Sequence, residues 1–318
     1  MNAPLLEVED LCVYVDSSAG LVRAVDGVSL ALRPHQTLAI VGESGCGKST
    51  LARAIIGIET PRSGKIRFAG EEVPLHGPAR RALWRELQMI FQDPDASLNP
   101  RMTIGNAVAE PIGLLRRGPR AERLDAARRL LRQVGLDPSL FDRYPHELSG
   151  GQRQRVSIAR ALALEPKALI LDEAVSALDV SIRAQILNLL VSLQAELGLA
   201  YVFITHDLGV VRHVSHDVAV MYLGQIVEHA ETQALFSAPE HPYTRALLAA
   251  VPSLDPHAPR VTTVVHGDLP SPVAPPAGCR FHTRCPEVFD RCRAQAPELL
   301  ELGGRKARCF LARAQARD

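Results

Sequence analysis

The chain has 318 residues, 47% of them hydrophobic, which is ample for a sizeable buried core and for about two domains. Its 36 basic and 35 acidic residues leave a formal charge of +1, so there is no overall basic field to draw nucleic acid without sequence preference. No uninterrupted apolar run approaches the roughly 18 residues of a membrane span, and "MNAPLLEVED" carries acids where a signal peptide needs a basic start.

In chain order, residues 6–32 alternate in places, as at Leu11, Val13 and Val15 and again at Val28, Leu30 and Leu32, which predicts half-buried antiparallel strands. "TLAIV" at 37–41, Ala168–Leu171 and "AYVFIT" at 200–205 are short apolar runs instead, each followed by polar residues and then a helical pattern. These predict parallel strands buried on both faces. An arginine-rich segment, about 93–165, has helical spacing at Leu115, Leu124, Leu130, Leu131 and Val134, with breakers at Pro119, Gly135 and Pro145. It predicts a helical insertion into an α/β core. After "HPYTRALLAAVP" at 241–252 the composition shifts to Pro, His and Cys, so a small irregular appendage is expected over 253–318.

"GESGCGKST" at 42–50 satisfies G-x-x-x-x-G-K-[ST] between a predicted strand and a predicted helix. Glycines let backbone N–H groups turn inward on phosphate oxygens, and the helix dipole adds positive potential there. Gly42, Glu43, Ser44, Gly45, Cys46, Gly47, Lys48, Ser49 and Thr50 are therefore the candidate ATP-binding loop, with Lys48 on the β- and γ-phosphates and Ser49 on Mg²⁺. "ALILDEAVSALDV" at 168–180 ends a strand in Asp172 and Glu173, at the edge where open α/β sheets bind ligands. Asp172 is the candidate Mg²⁺ ligand, directly or through water, and Glu173 the candidate base for the water attacking the γ-phosphate. His206, just beyond "YVFIT", is a candidate γ-phosphate contact; Gln92, in "MIFQDPDASLNP", is a candidate for Mg²⁺ or the attacking water.

"LSGGQRQRVSIARAL" at 148–162 holds a second helix start suited to phosphate. Ser149 and Gln152 fit a capping box, while Gly150 and Gly151, which cost helix stability, remove side chains that would block a phosphate. Near the C-terminus Cys279, Cys285, Cys292 and Cys309 offer four thiolates, enough for a tetrahedral zinc site or an iron–sulfur cluster. His282 is an alternative ligand, and Arg280, Arg284 and Arg291 are placed to offset an anionic cluster.

The order GESGCGKST, Gln92, LSGGQ, LDE, Ala177-Leu178-Asp179 and His206 resembles the complete motif set of an ABC-transporter nucleotide-binding domain over about residues 6–250. The resemblance implies a P-loop ABC ATPase fold: a mixed β core, an antiparallel β subdomain and an inserted α-helical subdomain, spanning 1–252, followed by a Cys-rich extension over 253–318. It implies ATP hydrolysis by a head-to-tail dimer, in which Ser149, Gly150, Gly151 and Gln152 close on ATP held by the opposing subunit and Asp179 lies at the seam. Adenine stacks on an aromatic near the first strands of such proteins. The corresponding position falls on Val15, with Tyr14 the aromatic candidate one residue away, reachable through a β-bulge.

"FQDPDASLNPRMTIG", "VMYLGQIVE", "HPYTRALLAAVP" and "GCRFHTRCP" look like the peptide-importer ATPases of the oligopeptide and dipeptide systems, and "DEAVSALD" like the F-type member of the pair. That resemblance implies a second, non-identical ATPase, two transmembrane permeases and an extracytoplasmic peptide-binding protein, at the cytoplasmic face of the plasma membrane with no transmembrane segment of its own. The insertion after Gln92 would form the groove for the permeases' coupling helices, and the cysteine tail would carry a [4Fe–4S] cluster, with Zn²⁺ the alternative. Nickel and glutathione-like cargo fit the same family. A soluble ABC ATPase acting on nucleic acid or the ribosome shares the ATP motifs, but usually has a coiled-coil insertion, internal zinc modules or tandem ATPase domains, none of which is evident.

Overall fold

A computed structural model describes residues 3–74, 80–116, 118–251 and 267–315. They divide into two compact units, one formed by the described residues of 33–36 and 80–204, the other by those of 3–32, 37–74 and 205–315.

The second of these begins with the expected antiparallel pair. Strand Leu6–Ser17 pairs with Gly20–Leu32 and, on its other side, with Ser63–Phe68. Leu6, Val8, Leu11 and Val13 are buried, but Val15 is 39% exposed. Pairing with Ser63–Phe68 ends at Cys12, so Val15 lies where the strand has lost that neighbour. Thr37–Val41, buried at every position, runs parallel to Asp217–Tyr222, and Gln225–Glu231 pairs antiparallel to the latter.

The C-terminal tail is more regular than its composition implies. Leu300–Leu302 and Arg305–Ala307 form a hairpin around Gly303 and Gly304, both at positive φ, as a two-residue turn requires. Arg305–Ala307 then extends the sheet by pairing with Gln225–Glu231. Phe281 of the tail is buried in the same core as Ala39, Val41, Val220, Tyr222 and Tyr243. The described part of the tail, 267–315, falls within this compact unit, and the expected boundary at 252/253 lies outside the described residues.

In the other unit, Leu87–Ile90, Ala168–Asp172 and Ala200–Thr205 pair in parallel. Every residue of the last two strands is buried, which is why they read as continuous apolar runs without alternation. The expected helical insertion is present as Ile104–Pro111, Arg120–Gln133 and Gly150–Leu162. Pro119 occupies the N-cap of the middle helix, and Gly135, at φ 73°, follows its end. A groove of about 570 Å³ runs along the insertion, lined by Arg101, Met102, Asn106, Glu110, Leu114 and Tyr144. Among the described residues, no helix is long and apolar enough to cross a membrane.

Candidate active site

The glycine-rich loop 42–47 joins the buried strand Thr37–Val41 to helix Lys48–Ile56. Gly42 (φ 155°) and Gly47 (φ 111°) are required twice over: a Cβ at either would run into a backbone oxygen, of Met221 and Ala24 respectively. The first turn of the helix holds no acidic residue, so its positive dipole end is uncompensated from within, as suits an anion site. Ser49 and Thr50 lie in that turn. Lys48 is 4% exposed and donates from Nζ to the carbonyls of Gly42 (2.8 Å) and Glu43 (2.9 Å). Cys46 is buried in the loop, and burial pushes its thiol above the ordinary range.

Two side chains distant in sequence, those of Tyr243 and Arg284, converge on Glu43, and the sequence pattern points to neither contact. The Glu43 N–H donates to Tyr243 Oη at 2.9 Å, and the Glu43 carboxylate accepts from Arg284 Nη1 at 2.9 Å. Arg284 also approaches Tyr222 Oη at 3.5 Å. Arg284 and Arg280, the expected counter-charges to an anionic cluster, both reach carboxylates, Arg280 pairing with Asp26 and also donating to the Leu223 carbonyl. Arg291 bonds Gln295 and lies 4.2 Å from the Phe310 ring centroid.

Tyr14 sits where the pairing with Gly20–Leu32 slips: Val13 faces Val25 and Tyr14 faces Arg23, so the extra residue, Ala24, lies on the partner strand and Tyr14 follows Val13 in ordinary strand alternation. Its hydroxyl donates to Asp26 Oδ1 at 2.6 Å, and this bond, followed by burial, pushes the phenol up to about 12. The guanidinium of Arg62 lies 5.2 Å from the ring centroid and that of Arg23 5.9 Å.

The other unit carries the candidate base. Asp172 ends its strand 2% exposed. Glu173 follows in the left-handed region, φ 47°, its N–H donating to the Ile204 carbonyl at 3.0 Å and its own carbonyl accepting from Ser176 N–H and Oγ at 3.1 and 2.9 Å. These bonds hold a conformation that a glutamate does not take by preference. Gln92 Nε2 donates to Glu173 Oε2 at 3.0 Å, joining two residues 81 apart that were each assigned to the attacking water. His206 belongs to the unit containing the glycine-rich loop and is exposed; the next residue, Asp207, caps helix Leu208–Val214 by accepting from Gly209 and Val210.

The second phosphate-type helix start is a complete capping box. Ser149 Oγ accepts from Gln152 N–H at 3.3 Å, and Gln152 Oε1 accepts from Ser149 N–H at 2.9 Å. The two glycines differ in purpose. A Cβ at Gly150 meets nothing nearer than Leu178 at 3.9 Å, whereas one at Gly151 would come within 2.6 Å of Ile182 Cγ2. Gly151 is therefore demanded by packing inside the chain, which local sequence does not reveal, and only Gly150 leaves an open approach. Asp179 is exposed at the N-cap of helix Val180–Leu197, beside Val180, which is 80% exposed.

Cys279, Cys285, Cys292 and Cys309 line one small pocket, together with His241, Phe281 and His282. The Cys279 N–H donates to the Cys292 carbonyl at 2.8 Å, and His282 Nδ1 is 2.8 Å from the Cys279 carbonyl. Burial pushes the Cys279 and Cys285 thiols up to about 11. Among the described residues, no three His, Cys, Asp or Glu side chains are arranged to hold a metal ion.

A family model described as ABC transporter matches residues 25–176, and one described as oligopeptide/dipeptide transporter, C-terminal region, matches 227–292. A probable peptide ABC transporter ATP-binding protein of Sinorhizobium fredii is 51% identical over 98% of this chain and 91% of its own length. A di/tripeptide transport ATP-binding protein of Pseudomonas aeruginosa is 50% identical (96% and 97% covered), and a dipeptide transport ATP-binding protein of Escherichia coli 46% identical (98% and 95%). Among solved structures, a component of an ABC transporter complex from Clostridium perfringens is 31% identical with TM-score 0.66, covering 74% of this chain and 92% of its own. An ATP-binding cassette solved as a dimer after hydrolysis, bound to ADP and Pi, is 26% identical with TM-score 0.65, covering 71% and 98%.

Proposed function

The chain belongs to the ABC transporter ATP-binding proteins of the oligopeptide and dipeptide class, and from that premise we propose that it binds and hydrolyses ATP to energise import of di- and oligopeptides. The observation that carries this reading is the pairing, in one chain, of a lysine-bearing glycine loop with a capped helix start that is open at Gly150.

In this reading Gly42–Thr50 holds the chain's own ATP: backbone N–H groups and Lys48 take the phosphates, and Ser49, Gln92 and Asp172 take Mg²⁺. Mg²⁺ supplies charge neutralisation on the phosphate oxygens. Glu173, oriented by Gln92, accepts the proton of the attacking water, and His206 contacts the γ-phosphate. Tyr14 stacks on adenine, its ring fixed by the hydrogen bond from its hydroxyl to Asp26, with the guanidinium lying over the ring giving way on the face that adenine takes. Ser149, Gly150, Gly151 and Gln152 close over the ATP of a second, non-identical ATPase, with Asp179 at the seam. Residues 1–252 form the ATP-binding domain and 253–318 the extension. The insertion's groove takes the coupling helices of two permeases, which an extracytoplasmic peptide-binding protein supplies, so the chain works at the cytoplasmic face of the plasma membrane.

The four cysteines hold a [4Fe–4S] cluster or, alternatively, Zn²⁺; support lies in their sharing one pocket, and they must draw together to ligate. Iron and acid-labile sulfide analysis of anaerobically purified protein tests this, with neither iron nor zinc bound counting against any metal. The function is tested by uptake of labelled dipeptides, longer peptides and nickel into cells with and without the chain. Peptide uptake should be lost and restored by the wild-type sequence but not by Glu173→Gln. Intact peptide uptake with lost nickel uptake would overturn the cargo.

A further inference from the structure

The loop from Cys279 to Cys285 sends two arginines to two different carboxylates of the glycine loop's unit, Asp26 and Glu43. Arg280 anchors the loop's start on Asp26 and the Leu223 carbonyl. Phe281, 1% exposed, packs its ring 5.3 Å from Tyr222 and 5.4 Å from Tyr243. Arg284 leaves this plug with its N–H bonded to the Phe281 carbonyl at 3.0 Å, and its side chain, 8% exposed, ends on Glu43. Among the described residues its Nε has no hydrogen-bond partner, so the guanidinium is desolvated with its main polar return at that carboxylate.

Glu43 is gripped at three atoms. Its N–H donates to Tyr243 Oη, its carboxylate accepts from Arg284, and its carbonyl accepts from Lys48 Nζ, at 2.9 Å in each case. It is the residue directly after Gly42, and the cradle chemistry of such loops calls for no carboxylate there. Left uncompensated, that charge opposes a bound polyphosphate.

We propose that Arg284 is a positioning residue for ATP. It cancels the Glu43 charge beside the phosphates and pins the residue whose carbonyl holds Lys48. This rests on the reading that Gly42–Thr50 holds ATP.

The test uses the full chain, with ATP affinity read by displacement of a fluorescent ATP analogue in the presence of Mg²⁺, alongside steady-state hydrolysis. Arg284→Gln is expected to raise Kd and KM for ATP about tenfold while kcat stays within about twofold, the pattern of lost binding and not of lost chemistry. Arg284→Lys, which keeps the charge, should retain affinity to within about threefold. The decisive comparison is Glu43→Gln against Glu43→Gln/Arg284→Gln: with the carboxylate gone, losing the arginine should cost less than about threefold. A tenfold loss on that background, or an unchanged Kd in Arg284→Gln, overturns the inference; the background comparison stands even where the single variant does not fold. Lys48→Ala is run alongside. Binding lost there but unaffected by Arg284→Gln sinks this inference alone, whereas wild-type binding in Lys48→Ala sinks the ATP reading beneath it.

Discussion

Gly150→Ala and Gly151→Ala lie one residue apart and should fail in opposite ways. At 151 the added methyl would stand 2.6 Å from Ile182 Cγ2, against an ordinary carbon–carbon separation of about 3.5–4.0 Å. Ile182 is β-branched and sits in the first turn of helix Val180–Leu197, so its methyl has little rotamer freedom with which to yield. Overpacking of this kind costs about 1–3 kcal/mol, and the gain in helix propensity on replacing glycine returns about 0.5–1 kcal/mol. The net expectation is a loss of about 1–2 kcal/mol, read as a lower urea midpoint for the full chain. Gly151→Ala/Ile182→Val keeps Cγ positions on the crowded branch, so relief needs Gly151→Ala/Ile182→Ala, which should remove the clash but add a small cavity. At 150 the nearest atom is 3.9 Å away, so Gly150→Ala should be as stable as the parent or slightly more so. Its hydrolysis in the assembled transporter should nevertheless fall by about 10²-fold, since a misplacement of about 1 Å at a reacting phosphate costs that much. Equal urea midpoints for the two variants would refute the division of labour between the glycines.

Glu173→Gln should retain ATP binding while turnover drops by about 10²–10⁴-fold, measured as phosphate release against analogue displacement; preserved turnover removes Glu173 as the base. His241 supplies a pH prediction. Burial, and then the charges of Arg245 and Arg308, hold its imidazole near 3 in place of 6.5, and its neutral Nδ1 accepts from Tyr243 N–H at 3.1 Å. A base depressed by folding contributes stability that is present above its unfolded value and lost as pH falls from 6.5 toward 3. Chemical denaturation across that window should show falling stability, and His241→Asn, which keeps a helix-capping acceptor without the titration, should flatten the slope.

Features set by neighbours in the chain were legible from the sequence. The glycine loop, the capping box at Ser149 and Gln152, and the fully buried strands each follow from short spacings, because backbone geometry and helix-end satisfaction are local matters. The register slip beside Tyr14, whose extra residue is Ala24 of the partner strand, was not legible, since register depends on both strands of a pair. The grip on Glu43 was hidden: Arg284 is 241 residues away, and a lone arginine between cysteines is more naturally assigned to the nearer charge. The tail's hairpin was masked by its Pro- and Cys-rich surroundings, although Gly303-Gly304 was a turn signal in plain sight. The role of Gly151 required knowing what packs on the helix, and Ile182 is 31 positions further along.

The left-handed backbone at Glu173 sets fold and turnover against each other. Glycine takes φ 47° without the strain of about 1 kcal/mol that a side chain brings there, so Glu173→Gly should yield a hardier protein that has lost its proposed base. A search for thermostable variants by survival of the fold alone would therefore drift toward an inert chain at this position. Any such screen needs an activity filter placed ahead of the stability one.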